Sequence, residues 1–212
     1  MKRVESQQFV LPLDGTVVVD TYRGAINVVP GEGRDVVVSV SMLSSHIDED
    51  EARQALDQLK LSIVQNEGDV MVKATNRHET GVKFIWEDQS KTRVRFTITV
   101  PAECNLDLRS RDGSITVGNL RGEMKALTDV GTIFFRSIDG NIDARAESGN
   151  VVVSRCTGSV NLRTSVGDVR IGTVGGRARL ETVSGNVEVQ TARGVVEALV
   201  AEGDIEAGFA TI

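Results

Sequence analysis

A chain of 212 residues that is 40% hydrophobic can form a packed interior, but its eight aromatic residues exclude a bulky aromatic core and suit a thin one between closely spaced sheets. A formal net charge of -6 lacks the basic footprint of a nucleic-acid binder, so no DNA or RNA partner is expected. No stretch is apolar for the length of a bilayer, which argues against membrane insertion, and two cysteines are too few for a disulfide framework.

The first twenty residues carry Lys2, Arg3, Glu5 and Asp14 around a short apolar stretch broken by Pro12, unlike a signal peptide. As written, the chain is expected to be cytoplasmic. Gly15, Gly24 and Gly33 are nine apart, with Val17, Val19, Ile26 and Val28 in apolar positions after the first two, the mark of a repeat that begins early and is interrupted. Strand-like runs follow at Val36–Val40, Leu61–Val64, Val70–Ala74, Val82–Trp86 and Val94–Val100, bounded by turn signals such as Asn66-Glu67-Gly68-Asp69. Between them, residues 48–60 place Ala52, Ala55, Leu56 and Leu59 on one helical face, with Asp48 and Glu51 spaced as a capping box. This predicts a short amphipathic helix, as a lid over the open end of a solenoid or, alternatively, as a partner-binding element. Trp86, alternating with Val82 and Phe84, is expected in the core between the N-terminal strands and the solenoid.

From Gly113 to Gly203 eleven glycines recur every nine residues without insertion. Two residues after each glycine stands Ile115, Met124, Ile133 and so on to Ile205; four after stands Val117, Ala126, Phe135 and so on to Ala207, all apolar. Each unit reads as one strand with a dry and a wet face, the glycine supplying the positive dihedral of a tight turn. The seventh position is apolar in alternate units (Leu120, Ile138, Cys156, Val174, Ala192, Ala210), an eighteen-residue signal. Eleven strands in one flat sheet would leave a dry face uncovered, whereas coils of two strands cover each other. The prediction is an all-β, two-sheet β-solenoid (β-helix) of 18-residue coils with one short N-terminal capping helix. Residues 1–109 form the N-terminal region with the helix, the start of the solenoid and its cap; residues 110–212 form the regular array.

Asp112, Asp129, Asp139, Asp168 and Asp204 lie beside glycines but share no single column, and His46 and His78, in polar stretches, match no zinc spacing. No metal or cofactor is expected. An array without loops has nowhere to build a cleft, so the protein is not expected to be an enzyme. Cys156 falls in an apolar column and reads as a small buried hydrophobe. On the wet face of one sheet the columns read Lys125, Asp143, Asn161, Arg179, Glu197 and Leu127, Arg145, Arg163, Glu181, Leu199. Arg145, Arg163, Arg177 and Arg179 form a candidate ligand face for carboxylate or phosphate groups of an anionic polymer or glycan; the alternative is a solvated face partly neutralised by Asp143 and Glu181. On the other sheet Phe134 and Val152 make a small outward apolar patch. Ile205, Ala207 and Phe209 or Ala210 should complete the last coil, and residues 203–212 contain no Lys or Pro to block pairing. That edge is a candidate for self-association, as an end-to-end dimer rather than a filament because of the helix lid at the other end.

The run from Gly15 to Val28, the helical stretch Glu51–Leu61 feeding a strand, the Thr97-Ile-Thr-Val-Pro101 entry and the units Ser148–Val151 and Ser184–Val187 resemble the bacterial putative-adhesin β-strand-repeat family over nearly the whole chain. That family is largely a domain of unknown function. The resemblance implies a β-solenoid in a cell-envelope setting, frequently behind a signal or anchor. Two functions are expected from these features: a non-catalytic scaffold or binding module, or a self-assembling structural protein similar in principle to bactofilin filaments.

Overall fold

Strict alternation of apolar and polar residues produces strands that bury every second side chain, and the glycine spacing folds successive strands onto opposite sheets. A computed structural model describes residues 2–44, 59–76 and 92–210. The array is built from β8 (Asn105–Asp112), β9 (Ile115–Arg121), β10 (Met124–Val130), β11 (Ile133–Asp139), β12 (Ile142–Ser148), β13 (Val151–Cys156), β14 (Val160–Val166), β15 (Val169–Val174), β16 (Ala178–Ser184), β17 (Val187–Ala192), β18 (Val196–Glu202) and β19 (Ile205–Phe209). Even-numbered strands stack in parallel in one sheet, here sheet B, and odd-numbered ones in the other, sheet A. Register advances by eighteen residues, so Ile133 pairs with Ile115 on one side and Val151 on the other. The inward residues Ile133, Phe135, Val151, Val153, Leu162 and Ile171 are buried between the sheets.

The N-terminal residues join the same stack. β2 (Thr16–Arg23) and β3 (Ala25–Gly31) form a coil that pairs directly with β8 and β9, Val17 opposite Leu106 and Ile26 opposite Ile115. Between them the chain makes β4 (Asp35–Ser44), β5 (Leu59–Asn66), β6 (Asp69–Asn76) and β7 (Thr92–Pro101), with β1 (Lys2–Val10) added to the edge. Sheet A continues past β3 as β7, β4 and β1, and sheet B past β2 as β6 and β5.

This arrangement overturns the expected N-terminal capping helix. No helix occurs among the described residues, and Leu59 and Lys60, placed in the helix by their spacing, instead open β5 and pair with Asn76 and Thr75 of β6. The open end of the β2–β3 coil is covered by strands that prolong both sheets, burying Val36, Val38, Phe96, Ile98, Val70 and Val72, with Leu11 packed among them. Residues 48–58 of that expectation, His46, His78 and the run Val82–Trp86 lie outside the described residues.

The glycine reading also needs correction. Gly149 and Gly167 have the expected positive φ, 143° and 141°. Gly113, Gly158, Gly176 and Gly194 do not, yet they keep the spacing. What they share is stacking. A Cβ on Gly131 would lie 2.6 Å from the carbonyl oxygen of Gly113, and one on Gly176 would lie 2.7 Å from the carbonyl carbon of Gly158. Strands in a sheet are ~4.8 Å apart, a spacing that leaves no room for a side chain directed along the stack at the corner.

Corner polar groups are satisfied by a second ladder. Thr128, Thr164 and Thr182, all buried, donate to the carbonyls of Gly113, Gly149 and Gly167 at 3.0, 2.8 and 2.9 Å, and Ser110 donates to Gly24 at 3.2 Å. Ala146 interrupts this column. On the outside of the corners, Asn150 Oδ1 accepts the backbone N–H of Asp168, whose carboxylate accepts that of Asn186, whose amide oxygen accepts that of Asp204.

Candidate ligand-binding face

Sheet B turns a row of polar side chains outward because its strands alternate, and parallel register lines them up from coil to coil. One column runs Lys125, Asp143, Asn161, Arg179 and Glu197; the neighbouring column runs Leu127, Arg145, Arg163, Glu181 and Leu199. Arg145 and Arg163 are therefore direct neighbours, and Arg179 is two residues along the adjacent strand β16. Arg177 lies at the corner before β16.

The four arginines differ in how free they are. Arg145 meets Glu147 at 3.4 Å, Arg163 meets Glu181 at 3.5 Å, and Arg177 is paired with Glu197. Neither Arg179 nor Lys125 has a carboxylate within ion-pair distance among the described residues, and both are exposed. The face is thus neither a uniform basic strip nor fully neutralised.

Four stacked corners open a groove of about 320 Å³ beside the first column, lined by Glu123, Lys125, Asp143, Asn161, Arg177 and Arg179 among others. Arg145 and Arg163 are not in its wall. Its acidic groups are held by amides of the next coil: Asn141 Nδ2 donates to Glu123 at 2.9 Å and Asn161 Nδ2 to Asp143 at 3.1 Å. With its nitrogen committed to Asp143, Asn161 keeps a buried Oδ1 that has no hydrogen-bond partner. Spacing places Lys125, Asp143 and Asn161 in one column but does not distinguish them from their neighbours; the mixed polarity of one register column four coils long is the signal that points to them.

The cysteines are inert by environment. Burial pushes the Cys104 thiol up to about 12 and Cys156 to about 11, and Cys156 Sγ donates to Gly140 at 3.1 Å. Among the described residues no cluster of His, Cys, Asp or Glu has the geometry of a metal site.

At the other candidate surface, Ile205, Ala207 and Phe209 all lie on β19. Ile205 and Phe209 are 50% and 65% exposed, whereas Val187, the partner of Ile205 in β17, is 1% exposed. A register shift sets Phe209, and not Ala210, opposite Ala192.

The Toastrack DUF4097 family model matches residues 46–212. The chain belongs to that family. No curated protein matches this Toastrack chain in sequence. Its fold is similar to a crystal structure from Bacteroides fragilis described as a putative adhesin, with a TM-score of 0.58 and 9% identity, covering 97% of each chain. A cell adhesion protein from Clostridium sporogenes, also described as putative, has a TM-score of 0.33 at 11% identity over 96% of this chain and 100% of the other. A protein from Parabacteroides distasonis described as lipid binding has a TM-score of 0.27 at 11% identity over 97% and 95%. At 9% identity the likeness to the Bacteroides fragilis structure concerns the fold alone, and the family model is that of a domain of unknown function.

Proposed function

We propose that the chain is a non-catalytic binding module of the cell envelope that holds an anionic polymer against the outer face of sheet B. The observation that carries this reading is the register that brings Arg145, Arg163 and Arg179 onto adjacent strands, with Arg179 lacking a carboxylate partner among the described residues. Guanidinium groups in such a row suit carboxylate or phosphate groups repeating along a chain, and flat sheets without inserted loops between Asn105 and Phe209 suit an extended ligand better than a small enclosed substrate. The envelope setting draws support from the adhesin description of the Bacteroides fragilis relative. Titration with a polyanionic glycan at increasing salt tests the reading: affinity should fall with salt and fall further when Arg145, Arg163, Arg177 and Arg179 are replaced by Ala. Equal weak binding by wild type and the fourfold variant would leave only a solvated face.

A second reading, self-association through the β18–β19 coil, is favoured by the exposure of Ile205 and Phe209 at positions that are buried in the preceding coil. Two such faces can bury each other's apolar side chains and pair their strand edges. Light scattering over a concentration series, repeated on Ile205→Lys, decides it; a wild type that remains monomeric throughout rejects it.

A further inference from the structure

We infer that the groove on sheet B is an acidic-sugar subsite in which Arg179 and Lys125 take carboxylates and Asn161 and Asp143 take hydroxyls. This rests on the binding-face reading above and narrows it to one ligand chemistry and one part of the face. The wall carries three cations (Lys125, Arg177, Arg179) against two carboxylates (Glu123, Asp143), and Arg177 is already engaged by Glu197. Such a balance repels a densely charged chain wherever its phosphates pass Glu123 and Asp143, but it accommodates a ligand whose negative charges are separated by neutral polar groups.

The uncharged features point the same way. Asn161 Oδ1 is a buried acceptor without a donor, between Asp143, which holds its nitrogen, and Arg179 on the next strand. An orphaned acceptor is costly, and a turn of the Asn161 amide toward the groove that it lines lets a ligand hydroxyl supply the missing donor. Asp143 retains lone pairs for a second hydroxyl. Lys125 and Arg179 stand three strands apart, ~14 Å across the sheet, so one oligomer meets a cation, a hydroxyl-accepting centre and a second cation in turn. Carboxylates separated by hydroxyl-bearing rings are the pattern of a uronate oligosaccharide.

The test is calorimetric titration of the full chain with a short oligogalacturonate, its carboxyl-reduced neutral counterpart and inorganic polyphosphate. Oligogalacturonate should bind, Arg179→Ala and Lys125→Ala should each weaken it about tenfold or more, and Asn161→Ala should weaken it less. Arg155→Ala, on the opposite sheet, should leave it unchanged. The neutral oligomer should bind at least tenfold more weakly than the acidic one. Loss of binding in Arg145→Ala/Arg163→Ala but not in Arg179→Ala or Lys125→Ala would overturn the groove while preserving the face. Tighter binding of polyphosphate would overturn the acidic-sugar assignment, and no binding of either polyanion would overturn both readings.

Discussion

Gly158→Ala isolates the stacking effect at the corners from backbone strain. Gly158 has no positive φ, yet a Cβ there would lie 2.7 Å from Asn141 Oδ1 and from the carbonyl carbon of Gly140. The coil cannot shift away without breaking ladder bonds on both neighbours, since Gly158 N donates to Gly140 O and Gly176 N to Gly158 O. Overpacking of this kind costs ~1–3 kcal/mol. Gly149→Ala adds a left-handed backbone at φ 143° to a similar collision with Gly131, a further ~1–3 kcal/mol. Gly33→Ala has positive φ, 74°, and nothing within 4 Å of the new Cβ, so it should cost only the ~1–2 kcal/mol of a left-handed residue. The expected order of destabilisation is Gly149 first, then Gly158 and Gly33 with smaller effects. For a chain of this size ~3 kcal/mol lowers Tm by roughly 6–12 °C, which thermal melts followed by circular dichroism resolve. A Gly158→Ala protein that melts with wild type would refute the stacking argument, whatever the other two variants do.

Thr164→Val removes the donor to the Gly149 carbonyl and should cost ~1–3 kcal/mol, whereas Ala146→Ser offers Gly131 the bond that its neighbours enjoy and should stabilise by up to ~1 kcal/mol; urea denaturation measures both, and a destabilised Ala146→Ser would contradict the hydroxyl-ladder account. Cys104 and Cys156, with thiols raised to about 12 and about 11 by burial, should react with a disulfide reagent at neutral pH far more slowly in the folded chain than in denaturant; fast labelling without denaturant would contradict their burial. Hydrogen bonds from Thr157 and Arg121 hold the Asp139 carboxyl below its usual range, so its contribution to stability is present above the unfolded-state pKa of ~3.9 and is lost as pH falls through the lower folded value. Asp139→Asn should therefore flatten the acid limb of the stability profile without altering its neutral plateau shape; an unchanged acid limb would show that the pairing is immaterial.

Period and phase made the array legible. Ile133, Phe135, Val151 and Val153 announce an inward face because alternation and glycine spacing both fix it, and Leu120, Ile138 and Cys156 mark the eighteen-residue coil. The N-terminal lid is not legible in the sequence because residues 48–60 carry a 3.6-residue pattern, while at Leu59 and Lys60 the hairpin with β6 prevails. The hydroxyl ladder is not legible in the sequence: alternation sets Thr128, Thr164 and Thr182 on the inward phase of their strands, two residues past Ala126, Leu162 and Leu180, but nothing in the spacing shows the corner carbonyl that each satisfies. For the candidate face, spacing gave the columns but not every pairing. Arg163 reaches across to its register partner Glu181, as the column gives, but Arg145 turns along its own strand to Glu147 and Arg177 beyond the corner to Glu197, choices set by side-chain reach rather than register.

At the seam between the β2–β3 coil and the β8–β9 coil the stacked neighbours are not joined by the next turn of chain: residues 32–104 intervene. That excursion is about four times an eighteen-residue coil, yet loop-closure entropy grows only with the logarithm of length, so it adds ~1.2 kcal/mol, two doublings at ~0.6 each. Length at this point is nearly free thermodynamically, whereas one extra residue inside the array would throw every later side chain onto the wrong face. Tolerance for variation in length is thus found on the N-terminal side of this joint, and beyond it the pitch of the stack admits change only in whole turns.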